Sequence, residues 1–361
     1  MTTIATFQVN RTALDKGRVV SDAPAPLRDG QVHCAVDRFG LSANNVTYGV
    51  AGDIIGYWHF FPAEAPWGVI PVWGFADVVD SRHADVAVGE RLYGYWPMGS
   101  HLVLEPGKVS STRLVDGTAH RAVLPPVYNS YARCSHEPHY DAALDDARML
   151  LFPLYATSFC LYDHLVDNGW FGAQQVIVPC ASSRTAIGLA YALADDREAP
   201  PAVGLTSPGN LERVTALGLY DRVVAYDGLD AVSGDVPGVI VDMSGNGEVL
   251  ASLHARLGEN MRFTLKVGLT HHDKSATGKG YIDERSRMFF APKHIAKRAE
   301  DWGPGEFDKR AFAFWQDAAR RSERWLSYEH GAGMAAVEQS WRRLLEASVP
   351  PTTGLILSPG A

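Results

Sequence analysis

One stretch, Gln175 to Asp227, limits what this chain can fold into. It opens with the apolar run Gln175-Val176-Ile177-Val178-Pro179-Cys180 and passes into a small polar turn, Ala181-Ser182-Ser183-Arg184-Thr185. Ala186, Leu189, Ala190 and Leu193 then recur at i, i+3, i+4 and i+7, the spacing of one helix face. A second apolar run, Ala202-Val203-Gly204-Leu205, ends in Thr206-Ser207-Pro208-Gly209-Asn210. Strand, tight turn, helix and strand in that order open a dinucleotide-binding unit.

The turn lacks the usual glycines, which allow a sharp bend, close approach of backbone to pyrophosphate and tight helix packing. Only Gly188 is placed to serve. Ser182, Ser183, Arg184 and Thr185 fill the turn instead: hydroxyls that cap a helix or donate to phosphate, and a guanidinium that pairs with it. A plain Ser/Thr-capped helix in an α/β sheet reads the same way. At the end of the second strand, where an NAD site places Asp or Glu on the ribose 2′-hydroxyl, stand Thr206, Ser207 and Asn210. The first carboxylate is Glu212, with Arg213 beside it. That favours a 2′-phosphate, hence NADP(H), with Ser207 its foremost contact. An ordinary turn before a helix is the alternative.

Composition narrows the class. With 361 residues, 46% hydrophobic and 20% charged, the chain has material for one large or two ordinary domains. Its net charge of −8 argues against nucleic-acid partners. Cys34, Cys134, Cys160 and Cys180 form no CxxC pair and read as reduced thiols of a cytoplasmic protein. No apolar run approaches the 18 or so residues of a membrane span, and the N-terminus lacks a secretory pattern.

In order, residues 1 to about 150 read as short strands punctuated by Gly and Pro, suggesting a small barrel. Asn44 to Gly49 is a polar loop or short helix between two of them. Val115 to Asp146, with Pro125-Pro126, Tyr128, His136 and His139, reads as a surface excursion reaching a substrate pocket or a subunit contact. From Ala147 an apolar stripe predicts a helix to about Asn168. Beyond the second strand, Leu211–Leu217 and Glu248–Leu257 read as helices; Arg222–Asp227, Gly238–Met243 and Arg262–Gly268 read as strands. The alternation predicts a parallel sheet, whose strand ends bring Met243, Gly268 and Thr270 to the cofactor. Lys309–Leu326 reads as a long helix and Gly354–Ser358 as a last strand.

The order resembles the medium-chain dehydrogenase/reductase superfamily, in particular its zinc-free quinone- and enoyl-reductase-like members. Leu41 to Gly52 looks like the family's Asn-containing loop beside the nicotinamide. Gly89-Glu90-Arg91-Leu92-Tyr93-Gly94 looks like its turn before a strand, Phe152 to Ser158 like the helix before the dinucleotide strand, and Phe289-Phe290-Ala291-Pro292 like a segment after the sheet. The resemblance implies an α/β chain with a GroES-like β-barrel domain (1–150 plus about 292–361) and a Rossmann domain (151–291), the C-terminal segment returning to the first domain. It implies no metal, because the family's zinc positions read Asn44-Asn45 and Gly74-Phe75-Ala76, and a homodimer by analogy. The chain departs from the family in its glycine-poor turn and in the excursion after Val115, and reads as a divergent branch.

The implied chemistry is hydride transfer from NADPH to an activated C=C bond of an α,β-unsaturated carbonyl, thioester or quinone, a small hydrophobic substrate. Tyr48 is the candidate donor to the developing oxyanion, since an unperturbed phenol with a pKa of about 10 is protonated at neutral pH. Asn44 and Asn45 are candidates to hold the nicotinamide carboxamide or the carbonyl. Tyr155, His271 and His272 are further candidates to line the substrate site. Against this stand an NADP(H)-binding sensor or scaffold without catalysis, and a different α/β ligand such as S-adenosylmethionine.

Overall fold

The computed structural model describes residues 3–50, 52–124, 126–267 and 280–360. Two compact units emerge, Met1–Leu150 with Leu326–Ala361, and Leu151–Trp325.

The first unit is built of short, mostly antiparallel strands, as its turn residues dictate. They are β1 (Ile4–Asn10), β2 (Ala13–Asp22), β3 (Val32–Leu41), β4 (Trp67–Gly68), β5 (Pro71–Ser81), β6 (Arg91–Pro97), β7 (His101–Leu104), β8 (Pro106–Val109), β9 (Arg113–Asp116) and β10 (Ser130–Arg133). One sheet runs β2-β1-β4; a larger one contains β3-β5-β6-β10-β9-β8, with β7 also on β3. Between β3 and β4 lie helices α1 (Ala43–Val50) and α2 (Gly52–Ile55). Phe39, Phe60, Phe75, Tyr95, Trp96 and Tyr131 fill the core. Gly94 is required by packing: a Cβ there would lie 2.2 Å from the Tyr131 ring.

The predicted surface excursion is largely structural. It supplies β10 and drives Arg121 into the interior, 2% exposed, where the guanidinium meets Asp116 at 3.0 Å. It also donates to the Phe60 carbonyl at 3.1 Å and to the Tyr131 hydroxyl at 2.8 Å. A buried charge is tolerable only when paired and hydrogen-bonded in this way.

The division between units falls within α3 (Asp145–Asp167). The stretch Ala142–Asp167 is long and apolar enough to cross a membrane by length and composition alone, unlike the expectation from the sequence. Half of it is buried inside the protein, as in a core helix. The second unit continues through β11 (Gln175–Pro179), α4 (Arg184–Asp195), β12 (Ala202–Thr206), α5 (Leu211–Ala216), β13 (Arg222–Ala225), β14 (Gly238–Asp242), α6 (Gly247–Leu257), β15 (Met261–Lys266) and β16 (Ser286–Met288). These six strands pair in parallel in the order β13-β12-β11-β14-β15-β16. Every residue of β11, β12 and β14 is buried, which is why those runs are continuously apolar rather than alternating. The order reverses between β11 and β14, the place where doubly wound sheets bind ligands.

Helices α7 (Ala291–Trp302) and α8 (Glu306–Ser322) also belong to the second unit. The chain returns to the first unit at Leu326, not near residue 292 as the sequence suggested. Charge pairing on α3 holds the intervening segment: Asp163 accepts from Arg298 Nε at 2.6 Å and lies 2.5 Å from His294 Nε2. Phe307 and Ala311 pack on Cys160 of the same helix. Beyond α8, β17 (Ser327–Ala332), α9 (Met334–Leu345) and β18 (Thr353–Ser358) complete the first unit, with β18 antiparallel to β3.

Candidate functional site

In the second unit the candidate site is the carboxyl end of β11 and β12. Cys180 follows β11 with φ +63°, a left-handed conformation that favours glycine. Its N–H donates to the Tyr226 hydroxyl at 2.8 Å, and its carbonyl accepts from the Ser183 N–H at 2.8 Å, closing the turn. Ser183 is the N-cap of α4: its hydroxyl accepts from the Ala186 N–H at 3.3 Å. The Thr185 carbonyl accepts from Ser158 Oγ of α3 at 2.7 Å. Ser182, Arg184 and Thr185 stay half-exposed at the helix N-terminus, where first-turn N–H groups lack intrahelical partners and the dipole favours an anion. Gly188 allows α4 to approach α3; a Cβ would sit 2.5 Å from Ser158 Oγ and 2.6 Å from the Tyr155 ring.

At the end of β12 three side chains form a line. Asn210 Nδ2 donates to Ser207 Oγ at 3.0 Å, and Arg213 donates to Asn210 Oδ1 at 3.0 Å. Arg213 is half-buried, and desolvation draws its pKa down, partly opposed by the Cys180 sulfur. The Ala181 N–H donates to the Leu205 carbonyl at 2.8 Å, which sets the end of β12 beside the β11 turn. Glu212 is exposed beside it. The Thr206 hydroxyl, buried at the strand's end, has no hydrogen-bond partner among the described residues. A cation, a hydroxyl and an amide together suit a phosphate ester better than a ribose diol. Ser207 is expected from the sequence; Arg213 enters the site only in the structure. Helical spacing from Asn210 to Arg213 was the available signal.

The first unit holds the second candidate, on α1. Asn44 Nδ2 donates to the Tyr48 hydroxyl at 2.8 Å, i to i+4. Trp73 and Tyr95 also face the Tyr48 oxygen. Tyr48 lies against Tyr57, with ring centroids 4.4 Å apart, and edge-on to Tyr95 at 6.1 Å. Burial, reinforced by Tyr128, pushes its pKa well above the ordinary phenol value, so it stays protonated at any physiological pH. Asn45 has a different task. Its Oδ1 accepts from the Ser42 N–H at 2.9 Å and its Nδ2 donates to the Pro71 carbonyl at 3.1 Å, committing the amide to the backbone rather than to a ligand.

Other predicted positions fall elsewhere. Tyr155 is fully buried in the second unit, its hydroxyl 2.6 Å from Ser322 Oγ, so it is a packing residue rather than a pocket wall. Met243 joins the apolar cluster under the sheet. Beside it Asp242 accepts from Ser244 N and Oγ, at 2.9 and 2.6 Å, and from Gly245 N at 3.0 Å, which fixes the bend after β14. Gly268, Thr270, His271 and His272 lie outside the described residues. Among the described residues no three His, Cys, Asp or Glu side chains are grouped to hold a metal ion.

The fold is that of the medium-chain dehydrogenases/reductases. The chain is similar to CurA from Vibrio vulnificus over 100% of its own length and 99% of that protein's, with 12% identity and a TM-score of 0.60. The same protein solved in complex with NADPH matches over 99% of each chain at 10% identity, also with a TM-score of 0.60. The quinone oxidoreductase from Coxiella burnetii matches over 99% of each chain at 12% identity, with a TM-score of 0.58. No curated protein sequence matches. A family model spans residues 39–350, most of both units, and the chain belongs to that family, described as a protein of unknown function (DUF2855).

Proposed function

We propose that this chain is an NADP(H)-dependent, zinc-independent reductase that transfers hydride to an activated C=C bond in a small hydrophobic unsaturated carbonyl, thioester or quinone. The observation that carries the reading is the Ser207–Asn210–Arg213 line beside the β11 turn. It offers donors and positive charge where an NAD site would offer a carboxylate. The orphaned Thr206 hydroxyl at the same strand end supports the fit. Ser207, Asn210 and Arg213 would hold the 2′-phosphate; Ser182, Ser183, Arg184 and Thr185 would hold the pyrophosphate. Bound there, NADPH supplies the hydride. The NADPH complex of the similar CurA supports the choice of cofactor.

Tyr48 supplies the oxyanion donor. Asn44 fills an acceptor position on its oxygen, which polarises the phenol, and in this reading the O–H turns from the neighbouring Tyr95 hydroxyl to a substrate carbonyl. A second reading, a nucleotide-binding protein without catalysis, draws on Cys180, which stands where a glycine is usual and spends its N–H on Tyr226. A cytoplasmic homodimer is the accompanying expectation, and sedimentation velocity tests its dimeric part.

Thermal melting with NADPH, NADH or neither is the first test. A 100-fold excess of ligand over Kd stabilises the native state by about 2.7 kcal/mol. The reading expects a shift with NADPH well above that with NADH, followed by NADPH oxidation with at least one acceptor from an enone, enoyl-thioester and quinone panel. No shift with either nucleotide sinks it; a shift without turnover on the panel favours the second reading.

A further inference from the structure

Two phenols brace the glycine-poor turn after β11 from the far side of β12. Tyr220, just before β13, is buried and donates to the Ala181 carbonyl at 3.1 Å. It passes over Gly204 of β12, where a Cβ would lie 2.9 Å from its ring. Tyr226, just after β13, packs its half-buried ring on the apolar cluster that holds Leu205 and Val224. Its hydroxyl accepts from the Cys180 N–H at 2.8 Å. One phenol satisfies a carbonyl and the other an N–H, on successive residues of the turn. The two differ in what they have left to give. The Tyr220 hydrogen is spent on Ala181. The Tyr226 oxygen accepts, so its own hydrogen remains, and it makes no other hydrogen bond among the described residues. Burial pushes the Tyr226 pKa above the ordinary phenol value, so that hydrogen stays in place at neutral pH.

Strand register places that hydrogen. Thr206, the last residue of β12, pairs with Ala225, so Tyr226 leaves the sheet one residue beyond that pair. Strand β11 lies on the other side of β12, one strand spacing of about 4.8 Å further on. To reach Cys180 the side chain therefore crosses the carboxyl end of β12, between the Ser207–Asn210–Arg213 line and the turn that leads into α4. We infer that Tyr226 is a further cofactor-binding residue: its hydroxyl takes up the Cys180 N–H and donates its own O–H to the pyrophosphate of the dinucleotide. The inference rests on the dinucleotide reading of this crevice. In a glycine-rich turn the backbone itself approaches the pyrophosphate. Here the phenol stands between backbone and anion and carries the donor outward. An oxygen that accepts one hydrogen bond donates a stronger one, so the turn N–H still acts on the anion through it. The first-turn N–H groups of α4 face the same anion.

The test is a comparison of two ligands by isothermal titration of the full chain. NADPH carries both the 2′-phosphate and the pyrophosphate; 2′-AMP carries the 2′-phosphate alone. Tyr226→Phe keeps the ring and its packing and removes only the hydroxyl. It should weaken NADPH binding by about tenfold or more, the loss of one charge-assisted hydrogen bond, and leave 2′-AMP binding unchanged. Melting curves establish that the variant folds. Amide exchange without nucleotide reads the turn itself. The N–H groups of Ala181, Ser183 and Ile187, bonded to the carbonyls of Leu205, Cys180 and Ser183, should exchange as in the parent. Faster exchange at all three, together with the weaker binding, reduces Tyr226 to a prop for the turn and overturns the inference. A variant that binds NADPH like the parent overturns it, and so does one that binds NADPH more tightly, because the hydroxyl then occupies the anion's place. Equal losses for NADPH and 2′-AMP overturn it too. In each of these cases the parent still binds NADPH and the dinucleotide reading stands. If the parent binds neither ligand, that reading fails and takes the inference with it.

Discussion

Asn44 and Tyr48 sit one helical turn apart on α1, and the amide of the first donates to the phenol oxygen of the second at 2.8 Å. The pair is local, set by i, i+4 spacing. The energetic setting is not: desolvation and the neighbouring Tyr128 hold the phenol in its neutral form. If Tyr48 stabilises an oxyanion, Tyr48→Phe should lower kcat by about 100-fold, as for loss of one oxyanion donor, with NADPH affinity unchanged. Asn44→Ala should cost less, about tenfold, because the phenol remains but its oxygen loses one donor. Steady-state kinetics with nucleotide titration decides; a Tyr48→Phe enzyme with full kcat removes Tyr48 from the mechanism.

Nucleotide preference should reside in Arg213 and Ser207. Arg213→Ala deletes the one cation in the Ser207–Asn210 line, and a charge-assisted hydrogen bond is worth about 1.5–3 kcal/mol. NADPH should therefore bind roughly 10- to 100-fold more weakly, while NADH binding changes little. Equal losses for both nucleotides would place Arg213 away from the 2′-phosphate.

Gly188→Ala tests the close approach of α4 to α3. The added methyl meets Ser158 Oγ at 2.5 Å and Tyr155 Cδ1 at 2.6 Å, and both side chains are buried and hydrogen-bonded. Overpacking of this kind costs about 1–3 kcal/mol. Denaturant melts should show a lower midpoint at unchanged slope, despite the higher helix propensity of alanine.

His254 predicts a pH dependence of stability. Its Nδ1 accepts from the Ile282 N–H at 2.9 Å, and its Nε2 lies 2.9 Å from the Thr264 hydroxyl, which suits the neutral ring. Burial, and then the positive charges of Arg285 and Lys266, lower its pKa to about 4. The unfolded chain, with a histidine pKa of about 6.5, binds the proton more readily. Stability should be intact above about pH 6.5, fall by up to about 1.4 kcal/mol per unit as the pH drops, and level off near the folded value. His254→Leu, less stable at pH 8, should lose that part of the slope. Urea melts from pH 8 to 4 read both effects.

Local pattern carried much of the second unit. The continuous apolar runs from Gln175 and Ala202, and the helical spacing from Ala186, need only burial on both faces of a parallel sheet to become β11, β12 and α4. The cap at Ser183 and the absence of a carboxylate directly after Thr206 are likewise facts of neighbouring residues. The pairing of Asn44 with Tyr48 was within reach for the same reason, since helical geometry fixes it.

What lies far apart in sequence was decided by the fold alone. Asn45 looked like the equal of Asn44, yet its amide is taken by Pro71, 26 residues away. Tyr155 looked available until its hydroxyl met Ser322 across 167 positions. Helices α7 and α8 stay in the second unit because Asp163 meets His294 and Arg298 there, a buried carboxylate matched to its partners that no periodicity records. The aromatic cluster around Tyr48 draws Tyr57, Trp73, Tyr95 and Tyr128 from four separate segments. The sequence by itself determined the elements, their order and the residue types at the strand ends, because propensity, capping and amphipathic period act over a few residues. Only the tertiary structure decided which of those side chains keep free chemistry and which are spent on packing, because that depends on partners brought together from distant parts of the chain.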